Sequence, residues 1–165
     1  MMRQRFAQAA SSYDQYATIQ ELSAALISNV TLTHQPKRIL DIGCGTGYLT
    51  QQMANQYPQS SIDAVDASAS MINQFMGRNL RNARPICMQY SDFLPGGQYD
   101  LIVSNAALHW MTSPDDVVDG MWNALKPGGR VVGEMGGAGN IARIARALTE
   151  ALTKRNLKDK SSISI

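Results

Sequence analysis

Ten residues, Arg38-Ile39-Leu40-Asp41-Ile42-Gly43-Cys44-Gly45-Thr46-Gly47, limit most sharply what this chain can fold into. Ile39, Leu40 and Ile42 read as a strand buried on both faces, and an acid and three glycines at alternate positions close the run. That spacing predicts a tight turn where the strand hands over to a helix. Residues without a Cβ let a ligand approach the backbone, and the free N–H groups of the following helix offer partial positive charge. A loop that only turns the chain fits the same letters, so the neighbouring segments decide.

Those segments alternate. Phe6 to about Val30 reads as helix broken near Ser11 and Ser12, with Phe6, Ala9, Ala10 and Tyr13 on one face, then Ile19, Leu22, Leu26 and Val30. After the glycines, Thr46 is the expected N-cap of a helix carrying Leu49, Met53 and Tyr57 that Pro58 stops. Ile62 to Asp66 is a second strand. Ser68 caps a helix with Met71, Ile72, Phe75 and Met76 inward, and Ile86-Cys87-Met88 is a short third strand. Tyr99 to Ser104 is the fourth strand, and Pro114, Asp115 and Asp116 open a helix holding Val117, Val118, Met121, Trp122 and Leu125. Lys126-Pro127-Gly128-Gly129 breaks it before a fifth strand, Arg130 to Glu134, and a last helix carries Ile141, Ile144, Leu148 and Leu152. Such alternation predicts an α/β fold in which a parallel sheet lies between helices, with ligands at the carboxyl ends of the strands where the strand order reverses.

A length of 165 residues suits one domain, and a net charge of +2 gives no reason to expect nucleic acid or a membrane as partner. Met1 to Arg5 leads into polar and small residues without an apolar run, so a cytoplasmic protein is expected. Cys44 and Cys87 have neither metal nor redox spacing and read as reduced.

Three acids fall where the strand-end rule puts a ligand: Asp41, Asp66 and Asp92. Asp66 lies nineteen positions after Gly47, near the offset of about 20 at which an acid meets a ribose hydroxyl in nucleotide-binding βαβ units. A nucleoside ligand follows. The turn departs from the dinucleotide pattern G-x-G-x-x-G, since Tyr48 follows Gly47, and no Gly-Lys-Ser/Thr completes a P-loop. Asp41 beside the turn would repel a pyrophosphate and suits an amino group or an ordered water.

Asp41 to Gly47, Asp66-Ala67-Ser68 with Met71, Asp92-Phe93, Ser104 to Trp110 and Leu125 to Gly129 resemble, in order, the motifs of class I S-adenosylmethionine-dependent methyltransferases. The opening, Phe6 to Ala10 with Tyr13, Tyr16 and Gln20, further resembles the group containing trans-aconitate and malonyl-carrier-protein methyltransferases, which methylate a carboxylate oxygen. The resemblance implies a Rossmann-like, doubly wound sheet of about five strands in the order 3-2-1-4-5. It implies one methyltransferase domain, 1–165, with an N-terminal helical lid over 1–35, a cofactor-binding core over 36–152 and a polar tail over 153–165. It implies S-adenosyl-L-methionine as cofactor, with Gly43, Gly45 and Gly47 against its methionine part, Asp41 at its amino group, and Asp66 on both ribose hydroxyls. Ala67, Met71, Asp92 and Phe93 would surround the adenine, Tyr13 and Gln20 would cover the ligand, and Asn105 would begin a segment under the sulfonium that faces the substrate. His109 is the candidate general base for a hydroxyl or amine acceptor, against a packing role beside Trp110.

Methyl transfer to a small-molecule or carrier-bound acid is the expected reaction. The alternative is a methyltransferase-like module that binds cofactor without turnover. Family sheets end in an antiparallel hairpin, and the thirteen residues after Leu152 leave no room for one. The fifth strand, expected to be buried on both faces, would then have an open edge through which the chain self-associates.

Overall fold

In the computed structural model the described residues are 35–93, 96, 98–111, 113–137 and 139. The expected N-terminal helices with Tyr13 and Gln20, the last helix and the polar tail lie outside them. The chain divides into two compact units, Met1–Met135 and Gly136–Ile165, and the elements below belong to the first. In order they are β1 (Arg38–Ile42), α1 (Tyr48–Gln56), β2 (Ser61–Asp66), α2 (Ala69–Met76), β3 (Ala83–Cys87), β4 (Tyr99–Asn105), α3 (Pro114–Ala124) and β5 (Leu125–Glu134). Short 3₁₀ turns cover Tyr90–Asp92 and Leu108–Trp110.

All four strand pairings are parallel and the order is β3-β2-β1-β4-β5, as expected. From β1 the chain winds outward through β2 to β3, then crosses to the other flank of β1 for β4 and β5. The reversal lies between β1 and β4.

Alternate side chains of the central strands feed two cores. Ile39, Ile62, Leu101 and Val103 pack against Leu49 and Met53 of α1, while Ala64 meets Ile72 and Phe75 of α2 on that same face. Leu40, Ile42, Val65 and Ile102 point the other way, onto Val117, Met121 and Ala124 of α3. Each fully buried aliphatic side chain of this kind contributes about 1.5–3 kcal/mol.

The amino ends of the strands are tied by charge. Asp63 is buried in β2, yet accepts from Tyr99 Oη at 2.7 Å, Arg38 Nη2 at 2.9 Å and Arg84 Nε at 2.9 Å. Burial, first, and the bond to Asp63 push the Tyr99 phenol above its ordinary pKa. Asp100 of β4 accepts the Lys37 and Arg38 amides at 2.8 and 2.7 Å through one oxygen and Lys126 Nζ at 2.9 Å through the other. Partial burial works to raise its pKa, and these donors outweigh it, so the carboxyl lies below the usual range.

Four local expectations change. β3 starts at Ala83, ahead of its apolar residues, because Arg84 is drawn to Asp63, and a strand bonded only to β2 among the described residues tolerates Pro85. The break at Lys126 to Gly129 lies within β5: Leu125 pairs with Tyr99 and Arg130 with Leu101, and Gly128 turns with φ of 81°. Met76, Val118 and Trp122 face outward. β5 is not buried on both faces, for Val131 is 42% exposed.

Tyr99→Phe keeps the ring and removes one donor from a buried carboxylate, so it should lower the unfolding free energy by about 1–3 kcal/mol in urea denaturation. Trp122→Ala, at a side chain 77% exposed, should shift it by less than about 0.5 kcal/mol.

Candidate functional site

At the carboxyl ends the sheet opens between β1 and β4. The ladder of β1 to β4 stops at Asp41, opposite Val103, whereas its ladder to β2 continues to Ile42. Beyond that point the buried Ser104 hydroxyl donates to the Ile42 carbonyl at 2.9 Å. On the other flank the Val65 carbonyl accepts two amides, Gly43 at 2.8 Å and Cys44 at 3.1 Å, so the turn begins while still tied to β2.

The three glycines all have positive φ but meet different surroundings. A Cβ on Gly43 would lie 2.2 Å from the Ala107 Cβ, and one on Gly47 would lie 2.2 Å from the Phe75 ring. Both positions are closed by protein. At Gly45, with φ of 55°, a Cβ would meet nothing within 4 Å among the described residues, which leaves open backbone in the middle of the turn.

Asp66 faces that opening. Its Oδ2 accepts the Gly45 amide at 2.9 Å and its Oδ1 the Ser68 amide at 2.8 Å. Ser68 caps α2 as expected, its hydroxyl accepting the Met71 amide at 3.5 Å. One carboxylate thus joins the end of β2, the glycine turn and the first turn of α2. A carboxylate accepts about four hydrogen bonds, and the described residues supply two of them.

Asp41 has the opposite setting. It is 1% exposed, and its Oδ2 accepts from Thr50 Oγ1 of α1. Burial raises its pKa to about 7; the Thr50 bond works against the rise and the charge of Asp66 adds to it. Burial likewise holds the Cys44 thiol well above its usual range, so it is inert at neutral pH.

The remaining candidates are distributed along the same edge. Ala67 is exposed beside Asp66, and Met71 is buried at the start of α2. Asp92 is exposed in the turn after β3, where its Oδ1 takes a long 3.4 Å bond from Ser91, and the bonds that join Asp66 to the turn do not extend to it. Phe93 donates its amide to the Tyr90 carbonyl at 3.0 Å, and its side chain packs on the core under α3. Asn105 ends β4, opposite Glu134. The next residue, Ala106, has φ of 52° and donates its amide to the Glu134 carbonyl at 2.9 Å, which sets the start of the loop to His109. His109 is exposed and its ring lies 4.7 Å from that of Trp110.

Thr46 is not the cap of α1. That position belongs to Gly47 with φ of 81°, and no side chain bonds there. The buried Thr46 carbonyl and hydroxyl instead accept from Arg78. Thr50 and Arg78 support the site from outside any motif, although Thr50 lies nine residues after Asp41. Ser104 and Ala107, which also support it, lie within the Ser104 to Trp110 segment.

A family profile described as a methyltransferase domain matches residues 40–131, the stretch that holds β1 to β4, α3 and the start of β5. The chain belongs to the methyltransferase-domain family. A malonyl-[acyl-carrier protein] O-methyltransferase of Priestia megaterium is 34% identical, with 98% of this chain and 61% of that protein aligned. One from Bacillus anthracis is 31% identical, covering 99% and 62%. The chain therefore spans about three fifths of the length of these relatives. Among solved structures, the DhpI–SAH complex is 25% identical with a TM-score of 0.65, covering 84% of this chain and 69% of that one. The plantazolicin methyltransferase BpumL in complex with SAH has a TM-score of 0.68 at 17% identity, covering 95% and 65%, and shares the fold.

Because the folded state raises the pKa of Asp41, its protonated form stabilises the fold fully below pH of about 4, and that contribution is lost as pH rises toward 7. Asp41→Asn keeps the acceptor for Thr50 and removes the charge. Urea denaturation of the ligand-free protein at a series of pH values should show the variant gaining on the parent across that window.

Proposed function

We propose that this chain binds S-adenosyl-L-methionine at the carboxyl edge of β1 and β2 and transfers its methyl group to a carboxylate oxygen of a carrier-bound or small-molecule acid. The observation that carries the proposal is the pairing of open backbone at Gly45 with Asp66, which holds the turn and, among the described residues, keeps free lone pairs. A bulky, partly cationic nucleoside fits such a cradle. The choice of acid rests on the names of the relatives from Priestia megaterium and Bacillus anthracis.

Each residue then has a task. Gly43, Gly45 and Gly47 shape the bed for the methionine part. Asp41 would hold the amino group through a bridging water, and a neighbouring ammonium would favour its ionised form, bringing down a pKa that burial has lifted. Asp66 accepts from the ribose hydroxyls, and Ala67, Met71, Asp92 and Phe93 border the adenine. Asn105 to Trp110 form the substrate side.

Once bound, the cofactor supplies a methyl group already activated on sulfur. The protein must align the acceptor and exclude water. A carboxylate acceptor is ionised near neutral pH and requires no general base, so His109, with its ring against Trp110, orients the loop on this substrate. Two free cysteines among the described residues suit a cytoplasmic setting. At the edge of β5, where Val131 is exposed, the same proposal allows pairing with a second copy, and sedimentation should then show a concentration-dependent rise in mass.

S-adenosylhomocysteine at about 100 times its Kd should stabilise the protein by roughly 2.7 kcal/mol, and NAD should not. In calorimetry Asp66→Ala should lose at least about tenfold in affinity, the cost of one bond to a charged acceptor, while His109→Ala should bind like the parent. Equal affinity of Asp66→Ala and the parent, or stabilisation by NAD alone, would overturn the assignment. Transfer of labelled methyl to a carrier-bound dicarboxylic acid, compared with the unloaded carrier, tests the acceptor.

A further inference from the structure

Arg78 follows α2 and its C-cap Gly77, thirty-two residues from the glycine turn in sequence. Its guanidinium nevertheless reaches that turn with two donors and α1 with a third. Nε donates to the Thr46 carbonyl at 2.5 Å, Nη2 to the Thr46 hydroxyl at 3.4 Å, and Nη1 to Gln51 Oε1 at 2.6 Å. The plane of the group also lies near the Tyr48 ring, with 5.9 Å from the guanidinium carbon to the ring centroid. A rigid fork of this kind holds two acceptors of one residue in a fixed orientation, which a lysine ammonium cannot do.

What the fork takes is the hydroxyl that would otherwise cap α1. A threonine just before a helix ordinarily turns its oxygen to the amides of the first turn. Here Arg78 holds it away, α1 starts one residue later, and Gly47 takes the left-handed conformation with Phe75 of α2 filling the space beside it. The same helix supplies Ser68, which shares Asp66 with Gly45. So α2 grips the turn through Phe75 and Arg78, and grips the acid opposite Gly45 through Ser68.

We infer that Arg78 is a positioning residue for the adenosyl cofactor: it sets the glycine turn in the one shape that brings the Gly45 amide to Asp66. Arg78 acts through Thr46 and does not touch the ligand. The inference rests on the cofactor assignment proposed above.

Two variants test it, with S-adenosylhomocysteine as the probe. Arg78→Ala should raise the Kd about tenfold in calorimetry at a temperature where circular dichroism shows parent and variant equally folded. Arg78→Lys, the milder change, keeps the charge without the fork and should retain most of that loss. Amide hydrogen exchange should quicken at Gly45 and Gly47 in both variants and stay unchanged at Ile39 to Ile42 in the sheet. A variant that melts earlier yet binds with parental affinity would reduce Arg78 to a stabilising contact and overturn the inference. So would parental affinity in Arg78→Lys. Failure of the parent itself to bind would overturn both this inference and the assignment beneath it, whereas parental binding with unaffected variants would overturn this one alone.

Discussion

The carboxylate of Asp66 accepts one amide from Gly45 and one from Ser68, and the ligand edge depends on that pair of bonds. Hydrogen bonds to a charged acceptor are stronger than neutral ones, and these two close a loop across three segments that are separate in sequence. The end of β2 cannot drift from the turn after β1, and α2 cannot tilt away from either. The start of α2 also directs its dipole toward the negative charge. The protein thus fixes the shape of this edge in advance, before anything approaches it.

Two acids at neighbouring strand ends have been given different characters by their surroundings. Asp66 is half-buried, supplied with backbone donors and directed at open space. Asp41 is sealed beneath the turn with one hydroxyl donor, and its ionisation is moved into the neutral range. Spacing in the sequence marks both as strand-end acids. Only packing reveals that one is half-exposed at the edge of the sheet and the other enclosed within it.

Much of the fold was legible because its signals are local. Ile39 to Ile42 and Leu101 to Val103 are apolar runs bounded by turns, Ser68 is a capping residue before a helical pattern, and alternation of strands and helices implies parallel pairing. The misjudged places are those where a distant partner overrides a local preference. Thr46 has the chemistry of a cap, but Arg78, thirty-two positions away, claims its hydroxyl. Arg84 and Pro85 do not look like strand, but Asp63 draws Arg84 in and the outer position of β3 forgives the proline. Trp122 falls near the apolar face of α3 by spacing and still faces outward, while Val117, Met121 and Ala124 meet the core. Glycine spacing pointed to the turn after β1 and the offset of Asp66 to the end of β2, whereas the bonds of Thr50 to Asp41 and of Arg78 to Thr46 depend on contacts that spacing does not show.

The cluster around Asp63 and Asp100 closes the amino end of the sheet with five charged side chains, a phenol and two backbone amides. At the other end a serine hydroxyl, that of Ser104, spans the gap from β4 to β1. A sheet built this way behaves like a clasped fan. Changes in the loops at the open end leave the clasp in place, whereas changes in the clasp are felt as lost stability. Loop variation and robustness can therefore rest on separate residues of one small unit.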